Sequence, residues 1–191
     1  MNINNKKKEL RKILKIKRNK IYNNESKKKL DLESKLSDLV NFKTSNIVAT
    51  FLSINTEIPM NKLNEYLLNS NKTICLPVVK KNYDHLLFKK FDKKTNLQPG
   101  KYGILEPEND NLEIIPDLIL TPCLAFDLNG YRIGYGGGYY DKTFYKFKQS
   151  KQSFVSVAVA FEDQKVDKLI SDEKDQKINF ILTEKQIYKI K

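Results

Sequence analysis

Ile47-Val48-Ala49-Thr50-Phe51-Leu52 is an unbroken apolar run rich in β-branched residues, with no charge inside it. A half-exposed strand would alternate apolar and polar positions, and an amphipathic helix would repeat every three to four residues. A short continuous run instead predicts a strand covered on both faces, the usual state of a parallel sheet. The segments after it fit that frame. Pro59 opens a short helix to about Asn69, with Leu63, Tyr66 and Leu67 on one side. Thr73–Leu76 reads as a strand stopped by Pro77, and His85–Phe91 as another, antiparallel one. Pro99-Gly100 marks a turn. Asp117–Thr121 is a short buried strand ended by a proline, 138–149 a helix, and Phe154–Phe161 a strong strand. A loop with at most a short helix follows, then Ile178–Leu182 as the last strand.

Ahead of this alternation lies a lysine-rich segment of two helices. One spans about Asn5–Tyr22, with Leu10, Ile13, Leu14 and Ile21 at helical spacing. The other spans about Glu25–Phe42, with Leu32, Leu36, Leu39 and Val40 as its stripe. The expectation is an α/β fold: a mainly parallel sheet flanked by helices in three Rossmann-like layers, one domain over 1–191, with the helical segment of about 5–43 packed on it. Ligands of such sheets bind beyond the carboxyl ends of the strands. Ser53–Glu57, Pro122–Asp141 and Glu162–Asp175 all follow strands and can meet in one crevice.

The net charge of +12 raises a nucleic-acid partner, but only three of the 35 basic residues are arginine. Asparagine and isoleucine are also abundant, so the charge reads first as compositional drift, next as steering of an anionic ligand. The basic helices carry only Tyr22 and Phe42 as aromatics, too few for base stacking. No apolar stretch reaches the roughly 20 residues of a membrane helix, and no signal core follows the basic N-terminus. A cytoplasmic protein is expected. Cys75 and Cys123 read as two buried thiols. The single histidine, His85, has no nucleophile to serve, and no zinc ligand set exists.

Five of the seven glycines fall within nine residues, in Asn129-Gly130-Tyr131-Arg132-Ile133-Gly134-Tyr135-Gly136-Gly137-Gly138-Tyr139-Tyr140-Asp141. Asn129-Gly130 predicts a two-residue hairpin turn that sets Arg132 just before the glycines. Consecutive glycines let backbone N–H groups close on an anion, and a helix starting near Gly138 adds its positive end. Arg132 can fork onto phosphate oxygens, while Asp141 either caps the helix or holds Mg²⁺. Lys7 and Arg11 lie four apart on one helix face. Glu57 is either a helix-cap residue or a ligand contact, and Asp127 a hairpin residue. Arg18 fits no motif and is expected at the surface.

These residues, with Asp117-Leu118-Ile119-Leu120-Thr121-Pro122 and Ala125-Phe126-Asp127 before them, resemble the signature of the 5-formyltetrahydrofolate cyclo-ligase family. Lys7-Lys8-Glu9-Leu10-Arg11, Phe51-Leu52-Ser53 with Glu57, Gly103-Ile104-Leu105-Glu106-Pro107, and Ala160–Gln164 with Asp175 are similar to other parts of its pattern, in order, over roughly 7–183. The resemblance implies ATP-dependent closure of 5-formyltetrahydrofolate to the 5,10-methenyl form, releasing ADP and phosphate. It implies Arg132 and Lys7 as catalytic, and Lys7, Lys8, Glu9, Leu10, Arg11 and Arg132–Tyr140 as ATP contacts. That last range includes Ile133, Gly134, Tyr135, Gly136, Gly137, Gly138, Tyr139 and Tyr140. Leu52, Glu57 and Tyr135–Tyr139 are implied for the folate, and Asp141 with Asp175 for Mg²⁺. Asp172 or Glu173 would replace Asp175 in a shifted register. The expected partners are these small molecules alone, with no nucleic acid or membrane, and the expected state is a monomer. A non-catalytic nucleotide or folate binder on the same fold is the reading set against this one.

Overall fold

The computed structural model describes residues 2–108 and 112–191. Its central sheet has seven strands in the order β11-β10-β9-β6-β1-β2-β3. The inner five are β10 (Phe180–Leu182), β9 (Val155–Val159), β6 (Leu118–Pro122), β1 (Ile47–Ala49) and β2 (Thr73–Val78), all parallel. Antiparallel strands, β3 (Leu87–Lys90) and β11 (Ile187–Lys189), close the two edges. The mainly parallel α/β architecture is as the apolar runs predict.

Successive strand residues point to opposite faces, and each face finds its own helices. Val48, Leu118, Leu120, Val157, Val159 and Leu182 join one core with α2 (Leu32–Asp38), α3 (Val40–Thr44) and α4 (Asn61–Leu68). Ala49, Ile119, Ala158 and Ile181 join another, with Phe144 and Phe147 of α5 (Tyr139–Gln149). Each fully buried Leu or Phe here contributes about 1.5–3 kcal/mol. The crossovers β1–α4–β2 and β6–α5–β9 therefore lie on opposite faces. One leads from β1 and the other from its neighbour β6, in opposite directions along the sheet, which creates a topological switch point between β1 and β6. Asp117 fixes the register there: its carboxylate accepts from the N–H of Asn46 at 2.9 Å and of Ile47 at 3.2 Å.

The long helix α1 (Ile3–Glu25) lies over the strand ends, capped by Asn2 and burying Lys7, Leu14, Arg18 and Ile21. Two small hairpins stand apart from the sheet, β4 (Leu97–Pro99) with β5 (Leu105–Pro107), and β7 (Ala125–Phe126) with β8 (Arg132–Ile133). Cys75 and Cys123 are buried free thiols, and among the described residues no helix is long and apolar enough to cross a membrane.

Several boundaries depart from the sequence reading. The expected helix 25–42 is broken: Leu39 is extended (ψ 118°) and separates α2 from α3. Pro77 lies inside its strand rather than ending it, whereas Pro122 is the last residue of β6. Pro77 pairs with Phe88 of the antiparallel edge strand, where a ladder tolerates a missing N–H. Strand β11 was not anticipated. Nor does Asn129-Gly130 form a two-residue turn, because Asn129 has no positive φ. The loop runs from Asp127 to Tyr131, closed by the Asp127 carboxylate accepting from Asn129 and Tyr131 N–H at 3.0 Å each. A third bond, from Leu169 N–H at 2.9 Å, makes fully buried Asp127 a clamp between hairpin and C-terminal loop.

Candidate active site

A cavity of about 620 Å³ opens at the switch point, inside the usual range for small-molecule sites. Three segments that follow strands build its floor. After β1 the chain makes a tight turn at 54–57, with Asn55 at φ 52°. The Glu57 carboxylate closes the turn by accepting from Ile54 N–H at 3.0 Å. Glu57 therefore does not cap α4, whose N-cap is Met60. After β6 comes the β7–β8 hairpin, which delivers Arg132, and then the glycine loop. After β9 the chain returns with Ile170 and Asp175.

Two features shape the glycine loop. Gly136 has φ +108°, and a Cβ there would stand 3.3 Å from the Arg11 guanidinium carbon. Gly138 caps α5 from a left-handed conformation (φ 68°, ψ 10°), so the first-turn amides of an 11-residue helix face the cavity. Arg11 locks the loop from the other side, its Nε donating to Gly134 O at 3.0 Å.

Arg132 is held in place. Its Nη1 donates to Asp141 Oδ1 at 3.0 Å and to Gln176 O at 3.1 Å, and its guanidinium lies 5.1 Å from the Phe144 ring centroid. Gln176 N–H also donates to Asp141 at 3.0 Å, so Asp141 and Asp175, Gln176's neighbour, are drawn to the same wall. Lys7 Nζ sits between Asp175 (2.5 Å) and Asp172 (2.7 Å). Burial works against the Lys7 ammonium, but the two carboxylates outweigh it and raise its pKa.

The opposite end is apolar, walled by Phe51, Leu52, Ile54 and Leu86, with Glu57 at its base. Burial pushes the Glu57 carboxyl up to about 7, against the lowering pull of Ile54 N–H and the Arg18 guanidinium. Tyr140 is likewise driven up by burial, then by the Glu57 charge.

Lys7, Arg11, Leu52, Glu57, every residue from Arg132 to Asp141, and Asp175 line the cavity. Lys8, Glu9 and Leu10 do not. At about 100° per residue they turn off the Lys7–Arg11 face: Lys8 and Glu9 are exposed, and Leu10 packs against Leu14 and Ile133. Arg18 overturns the surface expectation, being only 2% exposed and bonded to Tyr135 and Cys123. The β4–β5 hairpin was also missed as a wall. It brings Tyr102, Ile104 and Glu106 over the site, and Tyr102 Oη meets Tyr139 Oη at 3.1 Å. His85 lies outside the cavity, paired with Asp84 and Lys146.

A family model described as the 5-formyltetrahydrofolate cyclo-ligase family matches residues 3–184. The 5-formyltetrahydrofolate cyclo-ligase of Haemophilus influenzae is 32% identical over 143 residues, 72% of this chain and 75% of that protein. Its counterpart in Escherichia coli K12 is 32% identical over 146 residues, 74% and 79% respectively. Among solved structures, the 5,10-methenyltetrahydrofolate synthetase of Aquifex aeolicus superposes with a TM-score of 0.75 at 30% identity, covering 97% of this chain and 93% of that one. The synthetase of Mycoplasma pneumoniae, at 20% identity and TM-score 0.68, shares the fold.

Proposed function

The chain belongs to the 5-formyltetrahydrofolate cyclo-ligase family, and we infer that it closes 5-formyltetrahydrofolate to 5,10-methenyltetrahydrofolate at the expense of ATP, releasing ADP and phosphate. The observation carrying this reading is the joining of two unlike half-sites in one cavity. A glycine loop with Lys7, Arg11 and Arg132 suits a triphosphate, and an apolar slot ending in Glu57 suits a planar heterocycle with N–H donors.

The formyl oxygen on N5 attacks the γ-phosphorus and ADP leaves, giving a phosphorylated imidate. N10 then adds to the same carbon, and phosphate departs to leave the methenyl bridge. No side-chain nucleophile is required; the work is alignment and charge neutralisation. Arg132 and Lys7 are assigned to the transferring phosphoryl oxygens, and Arg11 with the amides of Gly134–Tyr140 to the rest of the nucleotide. Leu52, Glu57 and the Tyr135–Tyr139 segment are assigned to the folate. Asp141 and Asp175 would hold Mg²⁺, which supplies charge neutralisation at the phosphates. The donor set fits, because Mg²⁺ needs one or two carboxylates beside phosphate and water oxygens. Each carboxylate now carries a cationic partner, Arg132 or Lys7, which the same phosphates would draw away.

We read residues 1–191 as one domain acting as a monomer in the cytoplasm. Burial of α1 residues against the strand-end loops and the two free thiols support this. Mixing the chain with 5-formyltetrahydrofolate, Mg²⁺ and ATP should give the methenyl chromophore. An absorbance trace that stays flat whether or not ATP is present would refute the reading.

A further inference from the structure

Arg18 lies behind the cavity wall. Its guanidinium is held by Thr56 Oγ1 (3.3 Å from Nε), Cys123 O (3.2 Å from Nη1) and the Tyr135 hydroxyl, with Glu57 Oε1 at 3.8 Å from Nη1. Its central carbon also lies 5.1 Å from the Tyr135 ring centroid. Thr56 and Glu57 belong to the loop after β1, Cys123 and Tyr135 to the segment after β6. One planar fork thus ties together the two loops that flank the switch point. A lysine could not, since a single ammonium cannot span four acceptors in fixed directions. Arg18 and Glu57 are 2% and 3% exposed, and burying an ion pair so completely is costly unless both charges are well held. Two of the four partners, Glu57 and Tyr135, face the cavity.

We propose that Arg18 is a positioning residue for the folate half-site, fixing the Glu57 carboxylate and the Tyr135 phenol in the orientation that meets the substrate. This rests on the assignment of Glu57 and Tyr135 to folate. The titratable groups facing Glu57 are Arg18 from α1, Tyr135 from the glycine loop, Tyr140 from α5 and Cys123 after β6. Of these only Arg18 is cationic, so it opposes the burial that favours the neutral acid. Lys7 and Arg11, further up the same helix, serve the other end, and the effect of losing Arg18 should stay with folate.

The test is steady-state turnover of the full chain as Arg18→Gln and Arg18→Lys, with folate and ATP varied separately across the neutral pH range. Arg18→Gln should raise the folate KM at least about tenfold and leave the ATP KM within about twofold. It should also move the acid limb of kcat/KM for folate upward by about one pH unit, because Glu57 has lost its cation. Arg18→Lys retains the charge, so its limb should stay near that of the unaltered chain, while its folate KM rises about threefold or more for want of the fork. A folate KM within about twofold of the unaltered chain in Arg18→Lys would overturn the proposal, and that result decides even if Arg18→Gln fails to fold. Glu57→Gln separates the two claims. If it raises the folate KM and the Arg18 variants do not, the Arg18 proposal alone fails; if it does not, the folate assignment beneath it fails.

Discussion

At the glycine-loop end of the cavity, opposite charges meet in short pairs that water can still reach. Arg132–Asp141 is 3.0 Å and Lys7–Asp175 2.5 Å, with the carboxylate side chains 22–25% exposed. At the Glu57 end the one ion pair is looser, 3.8 Å, and sealed at 2–3% exposure. Carboxylates that water can partly reach are easier to leave unpaired, because solvent screens some of the charge left behind. A sealed pair is not, since breaking it strands a charge in a poorly polarisable interior. On the proposed reading, one end would trade its counter-ions for a ligand, while the other holds its groups still.

Substitutions at the exchangeable end should therefore damage turnover far more than folding. The largest effect expected is for Arg132→Ala: a loss of about 10³-fold or more in kcat, as for removal of a phosphate-neutralising arginine. Near-UV circular dichroism should remain intact, because Asp141 can be hydrated once unpaired. Near-normal turnover would remove Arg132 from the chemistry. Lys7→Ala should follow with a loss of about 10²-fold in kcat/KM for ATP. A fall confined to the folate KM would reverse the assignment of the two ends.

The sealed end should show itself through pH. The folded chain favours protonated Glu57, whose carboxyl rises from 4.5 to about 7. Its contribution to stability is thus fully present below pH 4.5 and is lost as pH rises through about 7, by at most about 3 kcal/mol. Urea titrations at pH 5 and pH 8 should show this fall, and Glu57→Gln should flatten it. An equal fall in both proteins would mean that the Glu57 carboxyl is not raised. Folate affinity should run the opposite way, strengthening as the carboxylate forms above pH 7, because a carboxylate accepts from two N–H donors where the acid does not. The smallest effect expected is for Tyr102→Phe, which removes only the exposed contact to Tyr139: a change of about twofold in KM.

The sequence disclosed what depends on local pattern and withheld what depends on distant partners. Ile47–Leu52 and Phe154–Phe161 announce strands covered on both faces, and that follows from apolar continuity alone. The glycine loop was legible because its backbone demands are local: Gly136 and Gly138 adopt positive φ within a single turn. Arg18 was misplaced because the acceptors that bury it lie 38 to 117 positions away, where no periodicity reaches. A signal existed even so. In a chain that uses lysine almost everywhere, all three arginines stand at or directly behind the cavity, and an arginine where lysine is the default marks a need for the planar fork. The β4–β5 hairpin was hidden for another reason. Its strands are only three residues long, too short to show alternation, and Tyr102 gains its place only by crossing to Tyr139. Lys8, Glu9 and Leu10 show the converse: of a contiguous motif the helix presents only Lys7 and Arg11 to the cavity wall, every third or fourth residue.

Helix α1 carries Lys7 and Arg11 at one end of the cavity and Arg18 roughly 16 Å from Lys7 along the same rod, at about 1.5 Å per residue. A rod cannot tilt at one end only. If a nucleotide seats this helix, the free energy so spent is already spent when folate arrives, and the reverse order gives the same saving. The two affinities would then be tied by thermodynamic reciprocity, each reagent changing the other's affinity by one common factor.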